Sequence, residues 1–336
     1  MKLLENLIND EKNIDKNLYS AGPYWHDRAK RCVSAVKKNG LSDFRSLDSN
    51  IGIGYADSVN IDARKNYGLF YEKFYSFLIN IYPLSKIFEF QLNKTKLFHK
   101  YFLQYKEKHF QNNSRVNYLI NKFNLEDTCN FGCVDCFNLN NKEFSFYYTV
   151  ILDNHDYLTE YIDFTKIKNM FEIGGGFGQY IHILLQNYSN IKKILYLDIV
   201  PNIYIGTQYL KSFYGESVID YNITNKLNKI QFANNDKLEI ICIAPWQIEK
   251  VECLVDYFHN SHSFIEMSKK ILLNYFKYID KFMSKKCRIS IVTYVKDTPV
   301  LLDIISILDK YFPKKLKSYQ KNGLMLEGRK NYFFIG

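Results

Sequence analysis

The chain has 336 residues, of which 47% are hydrophobic and 24% charged, an ordinary composition for a soluble globular protein with room for two domains. No apolar run approaches the roughly 18 residues that span a bilayer, and the N-terminal segment is too interrupted by charge for a signal peptide. We therefore expect a cytoplasmic protein without a membrane span. The net charge of +10 favours anionic partners, but the basic residues are scattered and their densest cluster, Lys314, Lys315 and Lys317, is short, so nucleic acid is not an expected partner.

Residues 1–160 show mainly helical periodicity, and we expect them to form a substrate platform or lid. Apolar side chains recur at helical spacing in three segments. The helices predicted from them are Leu69–Tyr82, Lys96–Lys108 and Arg115–Phe123. Gly52 and Gly54 lie in a predicted loop that lacks a third glycine and has no phosphate-binding pattern. Four aromatic residues of this region could stack on a sugar or a base: Tyr24, Trp25, Tyr147 and Tyr148.

In residues 161–336, short apolar runs alternate with helical stretches, an order that predicts a parallel sheet covered on both faces. The predicted strands are Lys168–Ile173, Lys193–Asp198, Leu238–Ile243, Glu252–His259, Arg288–Tyr294, Leu316–Gln320 and Tyr332–Ile335. The predicted helices are Gly178–Gln186, Ile203–Phe213, Ser263–Met283 and Pro299–Tyr311. Only a short turn separates the last two strands, which favours an antiparallel hairpin. The expected fold class is α/β, with a Rossmann-like parallel sheet that ends in this hairpin.

A glycine-rich loop, Glu-Ile-Gly-Gly-Gly-Phe-Gly from Glu172 to Gly178, follows the first of these strands and opens a helix. Gly174 allows a tight turn out of the strand, Gly176 lets a ligand approach the backbone, and Gly178 allows close packing of the helix. The last glycine falls one position too early for the dinucleotide pattern G-x-G-x-x-G. Asp198 ends the next predicted strand, where a carboxylate can accept both hydroxyls of a ribose. Together these features predict a nucleoside-containing cofactor.

The pattern Glu-x-Gly-x-Gly-x-Gly resembles motif I of the class I S-adenosylmethionine-dependent methyltransferases, whose sheet also ends in an antiparallel hairpin. The resemblance implies S-adenosylmethionine as the cofactor, with Glu172 at its methionine end. In open α/β sheets, ligands bind beyond the carboxyl ends of the strands. Trp246, near one such end, could stack on the adenine or equally lie in the core. The cofactor-binding residues expected at these ends are Glu172, Gly174, Gly175, Gly176, Gly178, Asp198, Ile199, Ala244, Trp246, Asn260 and Ser261.

The segment Asn260–Met267 reads Asn-Ser-His-Ser-Phe-Ile-Glu-Met. Together with the glycine loop, it resembles the sugar O-methyltransferases of bacterial polysaccharide gene clusters, over roughly residues 145–295. The resemblance implies a sugar hydroxyl as the methyl acceptor, on a nucleotide-linked sugar or a glycan precursor. An anionic nucleotide sugar would also suit the positive net charge. The sequence indicates neither the particular sugar nor the oligomeric state.

Methyl transfer to a hydroxyl requires positioned reactants and a base for the hydroxyl proton. The candidate bases are His262, Glu266 and His259, of which His259 is expected to pack at the end of its strand. Ser263 and Glu266 could instead form a capping box, because a helix is predicted to begin at Ser263. The methyl-transfer site is not expected to hold a metal.

The seven cysteines are expected to be reduced thiols in a cytoplasmic protein. Cys129, Cys133 and Cys136 have the spacing of the iron–sulfur ligands of radical S-adenosylmethionine enzymes, but the methyltransferase-like pattern that follows them disfavours a cluster. A zinc site completed by His155 is a second interpretation. We prefer the third, that these are unrelated cysteines in a loop.

Two further functions are open, and a third is disfavoured. Ala244-Pro245-Trp246 lacks the leading Asn or Asp and the second Pro of base-modifying methyltransferases, so adenine methylation is disfavoured. Methylation of RNA or protein predicts a contiguous basic face and, for RNA, salt-dependent binding. A degenerate fold that serves as a binding module is the last alternative, and the intact glycine loop and Asp198 argue against it.

Overall fold

The computed structural model describes residues 1–22, 25–42, 44–45, 113–126, 128–132, 136–294, 299–312, 316–322 and 330–336. The helices predicted over Leu69–Tyr82 and Lys96–Lys108 lie outside these residues, as do Gly52, Gly54 and Tyr24. Within the described part of the chain, no helix is long and apolar enough to cross a membrane.

The N-terminal half contributes helices and one hairpin. The helices are α1 (Lys2–Glu11), α2 (Lys16–Tyr19), α3 (His26–Asn39), α4 (Ser114–Lys122) and α5 (Phe146–Thr159), and the hairpin joins β1 (Cys136–Leu139) to β2 (Lys142–Ser145). Helix α4 confirms the helix predicted over Arg115–Phe123. Leu3, Leu4 and Leu7 of α1 are buried in the same hydrophobic cluster as Ile203 and Tyr204 of the C-terminal half. The N-terminal helix thus packs directly on the domain that carries the glycine loop.

The C-terminal half forms one sheet. Its strands are β3 (Asn169–Ile173), β4 (Lys193–Leu197), β5 (Val218–Ile219), β6 (Glu239–Ile243), β7 (Val255–Ser261), β8 (Met283–Tyr294), β9 (Lys317–Asn322) and β10 (Lys330–Ile335). They lie in the order β5-β6-β4-β3-β7-β8-β10-β9. Strand β10 pairs antiparallel with β8 and β9, and the other pairs are parallel. This arrangement confirms the predicted α/β class, with a parallel sheet that ends in an antiparallel hairpin.

Helices cover both faces of this sheet. They are α6 (Gln179–Asn187), α7 (Asn202–Tyr214), α8 (Tyr221–Thr224), α9 (Lys269–Phe282) and α10 (Pro299–Tyr311). Alternation along the strands divides the core into two layers. On β4, Ile194 and Tyr196 belong to one buried cluster, whereas Leu195 and Leu197 belong to the other. The polar ends of the central strands are left between the two layers, and the functional site lies there.

The helix predicted over Ser263–Met283 is wrong at its start. A 3₁₀ turn covers Phe264–Glu266, and the α-helix begins after Ser268, whose side chain accepts a hydrogen bond from the Ile271 amide. Ser263 makes no capping hydrogen bond. The capping box considered as an alternative for Ser263 and Glu266 therefore does not form, because Ser263 Oγ lies instead 2.5 Å from Asn260 Nδ2. Glu266 is consequently free to face the site.

The expectation of reduced cysteines is wrong for one pair, since Cys129 and Cys136 form a disulfide with their Cα atoms 6.1 Å apart. The β1–β2 hairpin brings Cys136 to Cys129, and two thiols at this separation are within reach of a bond. Cys133 lies outside the described residues. The zinc site with His155 is not supported, because both nitrogens of that ring contact tyrosine hydroxyls, Tyr180 at 3.1 Å and Tyr188 at 2.9 Å.

Candidate active site

A cavity of about 240 Å³ lies at the carboxyl ends of β3, β4 and β7. Its floor is formed by the residues that follow these strands, Gly174–Gly176, Asp198–Ile199 and Ser261–Ser263. Helix α5 supplies one wall with Val150, Ile151, Asn154, His155 and Leu158, and the N-terminal segment supplies another with Ser20, Gly22 and Trp25. The cavity therefore lies between the sheet and the N-terminal half of the chain, as expected for a ligand site in an open α/β sheet.

The glycine loop is closely packed on its neighbours. Gly174 has a φ of +73°, which disfavours any residue with a side chain, and a Cβ there would lie 2.1 Å from Ser263 Oγ. A Cβ on Gly175 would lie 2.5 Å from Glu172 Oε2. The absence of a side chain at Gly175 thus makes the space in which the Glu172 carboxylate sits.

Glu172 is buried at the cavity wall and makes no hydrogen bond with any described residue, and its Oε2 atom is fully buried without a partner. Burial raises the pKa of Glu172 to about 8, and the nearby Asp198 carboxylate raises it further. A buried acceptor without a donor is costly, so it calls for a partner that enters with a ligand. A cationic group would satisfy both the empty lone pairs and the charge.

Asp198 is oriented by the backbone around it. Its Oδ2 atom accepts from the Gly176 amide at 2.8 Å, and its Oδ1 atom accepts from the Ile199 amide at 2.7 Å. Burial nevertheless raises the pKa of Asp198 to about 7. Each carboxylate oxygen keeps a further lone pair, which can accept a hydroxyl of a ligand.

These two carboxylates fit the cofactor implied by the sequence. S-adenosylmethionine carries an ammonium group and ribose hydroxyls. Glu172 has an unpartnered buried oxygen that could receive the ammonium group, and Asp198 is held by two amides where ribose hydroxyls could be accepted. The backbone of Gly174–Gly176 lines the cavity between them.

The three candidate bases all reach the cavity wall. His262 has a φ of +64°, a conformation that residues with side chains rarely adopt, and its Nδ1 atom lies 2.8 Å from Ser261 Oγ. Glu266 Oε2 accepts from Trp25 Nε1 at 2.5 Å, and burial raises the pKa of Glu266. His259 is almost fully buried on β7, and burial lowers its pKa to about 3. The cavity therefore offers a neutral imidazole and a hydrogen-bonded carboxylate as acceptors.

Most of the sequence-predicted residues meet at this cavity. Those lining it are Glu172, Gly174, Gly175, Gly176, Asp198, Ile199, Ser261, His259, His262 and Glu266. Four predicted cofactor residues do not line it: Gly178, Ala244, Trp246 and Asn260. Asn260 Nδ2 donates to the Ile173 carbonyl at 2.8 Å, and Trp246 Nε1 donates to the Tyr221 hydroxyl at 3.1 Å. A cofactor contact by these four residues stays a prediction.

Other wall residues were not predicted from the sequence. Helix α5 and the Ser20–Gly22 segment carry no motif, and they reach the cavity only through the tertiary fold. Among the four aromatic residues proposed to stack on a ligand, Trp25 lines the cavity. Tyr148 is fully buried, and its hydroxyl hydrogen-bonds to that of Tyr209, so Tyr148 belongs to the core. The pairing of Trp25 with Glu266 joins residues 241 positions apart, which no local pattern indicates.

No family model and no curated protein sequence matches the chain. Solved structures with a similar fold include the mitomycin 7-O-methyltransferase MmcR, at 13% identity and a TM-score of 0.38, covering 56% of this chain and 54% of that one. The human N-acetylserotonin methyltransferase in complex with SAM matches at 11% identity and a TM-score of 0.37, covering 56% of this chain and 53% of that one. PigF with SAH matches at 12% identity and a TM-score of 0.39, covering 56% of this chain and 57% of that one. The chain thus spans about half the length of these proteins.

Proposed function

We propose that this chain is an S-adenosylmethionine-dependent methyltransferase that methylates a hydroxyl group of a small molecule. The observation that carries the proposal is the pair of buried carboxylates at the ends of β3 and β4. Glu172 has no hydrogen-bond partner among the described residues, and Asp198 is held by two amides. A ligand that brings both a cationic group and hydroxyls satisfies the pair, and S-adenosylmethionine has both.

When bound, S-adenosylmethionine supplies a methyl group on a positively charged sulfur, so the protein has only to position the reactants and remove one proton. Glu172 and Asp198 would fix the two ends of the cofactor against the glycine loop. The walls of α5 and Trp25 would hold the acceptor and exclude water. His259, His262 and Glu266 stand at the same cavity as bases for the acceptor hydroxyl.

For the acceptor we propose a sugar hydroxyl, on a nucleotide-linked sugar or a polysaccharide precursor. The support is the resemblance of Asn260–Met267 to the sugar O-methyltransferases and the net charge of +10, which favours an anionic substrate. A cytoplasmic location is part of this proposal. The Cys129–Cys136 disulfide speaks against that location, because disulfides are uncommon in a reducing compartment.

A phenolic hydroxyl on a less polar molecule is the second candidate. Val150, Ile151 and Leu158 of α5, together with Val292 of β8, give the cavity an apolar wall. Apolar surface favours a flat or aliphatic substrate over a heavily hydroxylated one.

A methyl-transfer assay with labelled cofactor tests both acceptors. The panel comprises nucleotide sugars, free sugars, simple phenols and bulk RNA, with Asp198→Ala as the inactive variant. Labelling of a sugar by the wild type but not by the variant supports the first candidate, and labelling of a phenol alone supports the second. Salt-sensitive labelling of RNA would instead favour the RNA alternative. A wild-type protein that neither binds the cofactor nor labels any acceptor would contradict the proposed function. The remaining alternative would then be a degenerate fold that serves as a binding module.

A further inference from the structure

We propose that a buried chain of hydrogen bonds carries the hydroxyl proton of the acceptor away from the cavity, with His259 as the base that receives it. The inference rests on the proposed function, because it assigns the base and the proton path of that reaction. We call this series of hydrogen-bonded residues the proton relay, and its members are His259, Ser290, Tyr257, Tyr180, His155 and Tyr188.

His259 is held so that one ring nitrogen is left for a substrate. Its Nδ1 atom lies 2.7 Å from Ser290 Oγ and 3.1 Å from the Tyr257 hydroxyl. Its Nε2 atom has no hydrogen bond with any residue that the structure describes, and the ring lines the cavity. The ring also packs on Tyr180, with centroids 4.2 Å apart. In the tautomer that the relay uses, Nδ1 donates its hydrogen to Ser290 Oγ, and Nε2 can accept a proton.

The proton relay continues from His259 through an unbroken series of hydrogen bonds. The Tyr257 hydroxyl is 2.6 Å from Ser290 Oγ and 3.2 Å from the Tyr180 hydroxyl. Tyr180 contacts His155 Nδ1 at 3.1 Å, and His155 Nε2 contacts the Tyr188 hydroxyl at 2.9 Å. All these members except Tyr188 are buried, and Tyr188 is partly exposed. The relay therefore runs from His259 along the cavity wall, which Tyr180 and His155 also line, to the protein surface beside α5.

Every member can both donate and accept. Burial lowers the pKa of His259 and of His155 to about 3, so both rings are neutral and keep one N–H and one lone pair. Burial also raises the pKa values of Tyr180 and Tyr257 above their usual range, so both phenols keep their hydrogens. No member needs to hold a lasting charge if the protons shift together.

The proton count balances along one direction. As the acceptor oxygen gains its methyl group, its proton passes to His259 Nε2, and the hydrogen on Nδ1 passes to Ser290. Ser290 then donates to Tyr257, Tyr257 to Tyr180, and Tyr180 to His155 Nδ1. His155 releases its Nε2 hydrogen to the Tyr188 hydroxyl, and Tyr188 releases its own hydroxyl proton to solvent. One proton enters and one leaves.

Two single-atom deletions test the relay. Tyr180→Phe keeps the ring that packs on His259 but removes the central hydroxyl, and it leaves the hydrogen bonds of His259 to Ser290 and Tyr257 in place. Tyr188→Phe removes the exit hydroxyl, and Tyr188 is not itself one of the residues that line the cavity. The matched control is Tyr209→Phe, which also removes a buried tyrosine hydroxyl, one bonded to Tyr148 and not to the relay. Single-turnover methyl transfer, cofactor affinity and the solvent deuterium isotope effect are measured for each protein.

We expect both relay variants to slow methyl transfer by about tenfold or more, a part of the 10²–10⁴ that a positioned base contributes. Their cofactor affinity should match the wild type, and their solvent isotope effect should be larger because proton removal becomes slow. Tyr209→Phe should match the wild type in all three. Relay variants that react as fast as Tyr209→Phe would overturn the relay while leaving the proposed function intact. A wild type without methyl transfer would instead overturn the proposed function.

Discussion

Glu172 and His259 are register partners on the neighbouring parallel strands β3 and β7. Paired residues on adjacent strands lie about 5 Å apart and project to the same face of the sheet. Glu172, which is proposed to hold the cofactor, and His259, which is proposed to take the proton, therefore lie side by side in the wall of the same cavity. A methyl donor fixed at Glu172 would have its acceptor beside His259.

Cofactor affinity should depend on pH. Glu172 has a pKa raised to about 8 by burial, so at pH 6 it is protonated when the cavity holds no cation. A bound ammonium group favours the carboxylate and lowers that pKa, so binding releases a proton. Affinity should consequently increase by about tenfold per pH unit between pH 6 and pH 7 and level off near pH 8. Calorimetry in two buffers of different ionisation enthalpy measures both the affinity and the proton release.

The control for this prediction is Glu172→Gln, which cannot titrate and differs little in size. Its affinity should be weak and nearly independent of pH over the same range. A wild type that binds equally well at pH 6 and pH 8, without proton release, would show that Glu172 does not meet the cofactor.

The same substitution should stabilise the protein without cofactor. In the unfolded chain Glu172 loses its proton near 4.5, whereas in the folded protein it keeps the proton up to about 8. Stability is therefore present below pH 4.5 and is lost as the pH rises toward 8. At pH 8 Glu172→Gln should unfold with a free energy greater by roughly 1–3 kcal/mol, the usual cost of an unsatisfied buried group. Urea unfolding at pH 5 and pH 8 checks this, and a difference that does not increase with pH would contradict it.

Gly175→Ala should abolish cofactor binding by displacing Glu172. The added Cβ would lie 2.5 Å from Glu172 Oε2, so the carboxylate would have to shift out of its present position toward the cavity. Gly175 does not have a positive φ, so the effect would be steric and not a matter of backbone strain. Adding Glu172→Ala to Gly175→Ala should restore the melting temperature but not the binding. If Gly175→Ala alone binds the cofactor normally, Glu172 is not held in the position described.

Trp25→Phe should weaken acceptor binding selectively. The substitution keeps an aromatic ring in the cavity wall but removes the N–H that donates to Glu266. That hydrogen bond holds the Glu266 carboxyl in the cavity wall, so its loss should raise the acceptor KM by about tenfold at most, the equivalent of the ~1.5 kcal/mol of one hydrogen bond, while the cofactor affinity changes little. Trp246→Phe is the matched control, since Trp246 donates to Tyr221 outside the cavity. Equal effects of the two substitutions would mean that Trp25 acts on stability alone.

Local sequence signals were sufficient to predict most of the sheet. Most strands are short runs of apolar residues, and most crossover helices show apolar residues at helical spacing. Strand β5 was missed because Val218–Ile219 is too short to show a period. The β1–β2 hairpin was also missed, although its turn residues Asn140 and Asn141 have φ values of 55° and 59° and belong to a type that favours such turns. The helix start at Ser268 was missed because Ser263 offered an equally good local cap.

The floor of the cavity was predictable for a similar reason, since it is made of residues that directly follow strands. Its walls were not predictable. Trp25 and His155 meet the floor through the packing of the N-terminal half on the sheet. The proton relay joins two strands, β7 and β8, to two helices, α5 and α6, which are far apart in sequence. The left-handed backbone of His262 is likewise set by the turn after β7 and leaves no trace in the sequence.

The central claim is that the cavity binds S-adenosylmethionine through Asp198 and Glu172, and calorimetric titration of the purified protein with S-adenosylmethionine at pH 8 tests it most directly. We predict one site per chain for the wild type, and affinity reduced by about tenfold to a hundredfold in Asp198→Ala, the range expected for hydrogen bonds to a charged group. Asp163→Ala, which removes an exposed carboxylate away from the cavity, should bind like the wild type. No binding by the wild type, or equal binding by Asp198→Ala, would contradict the claim.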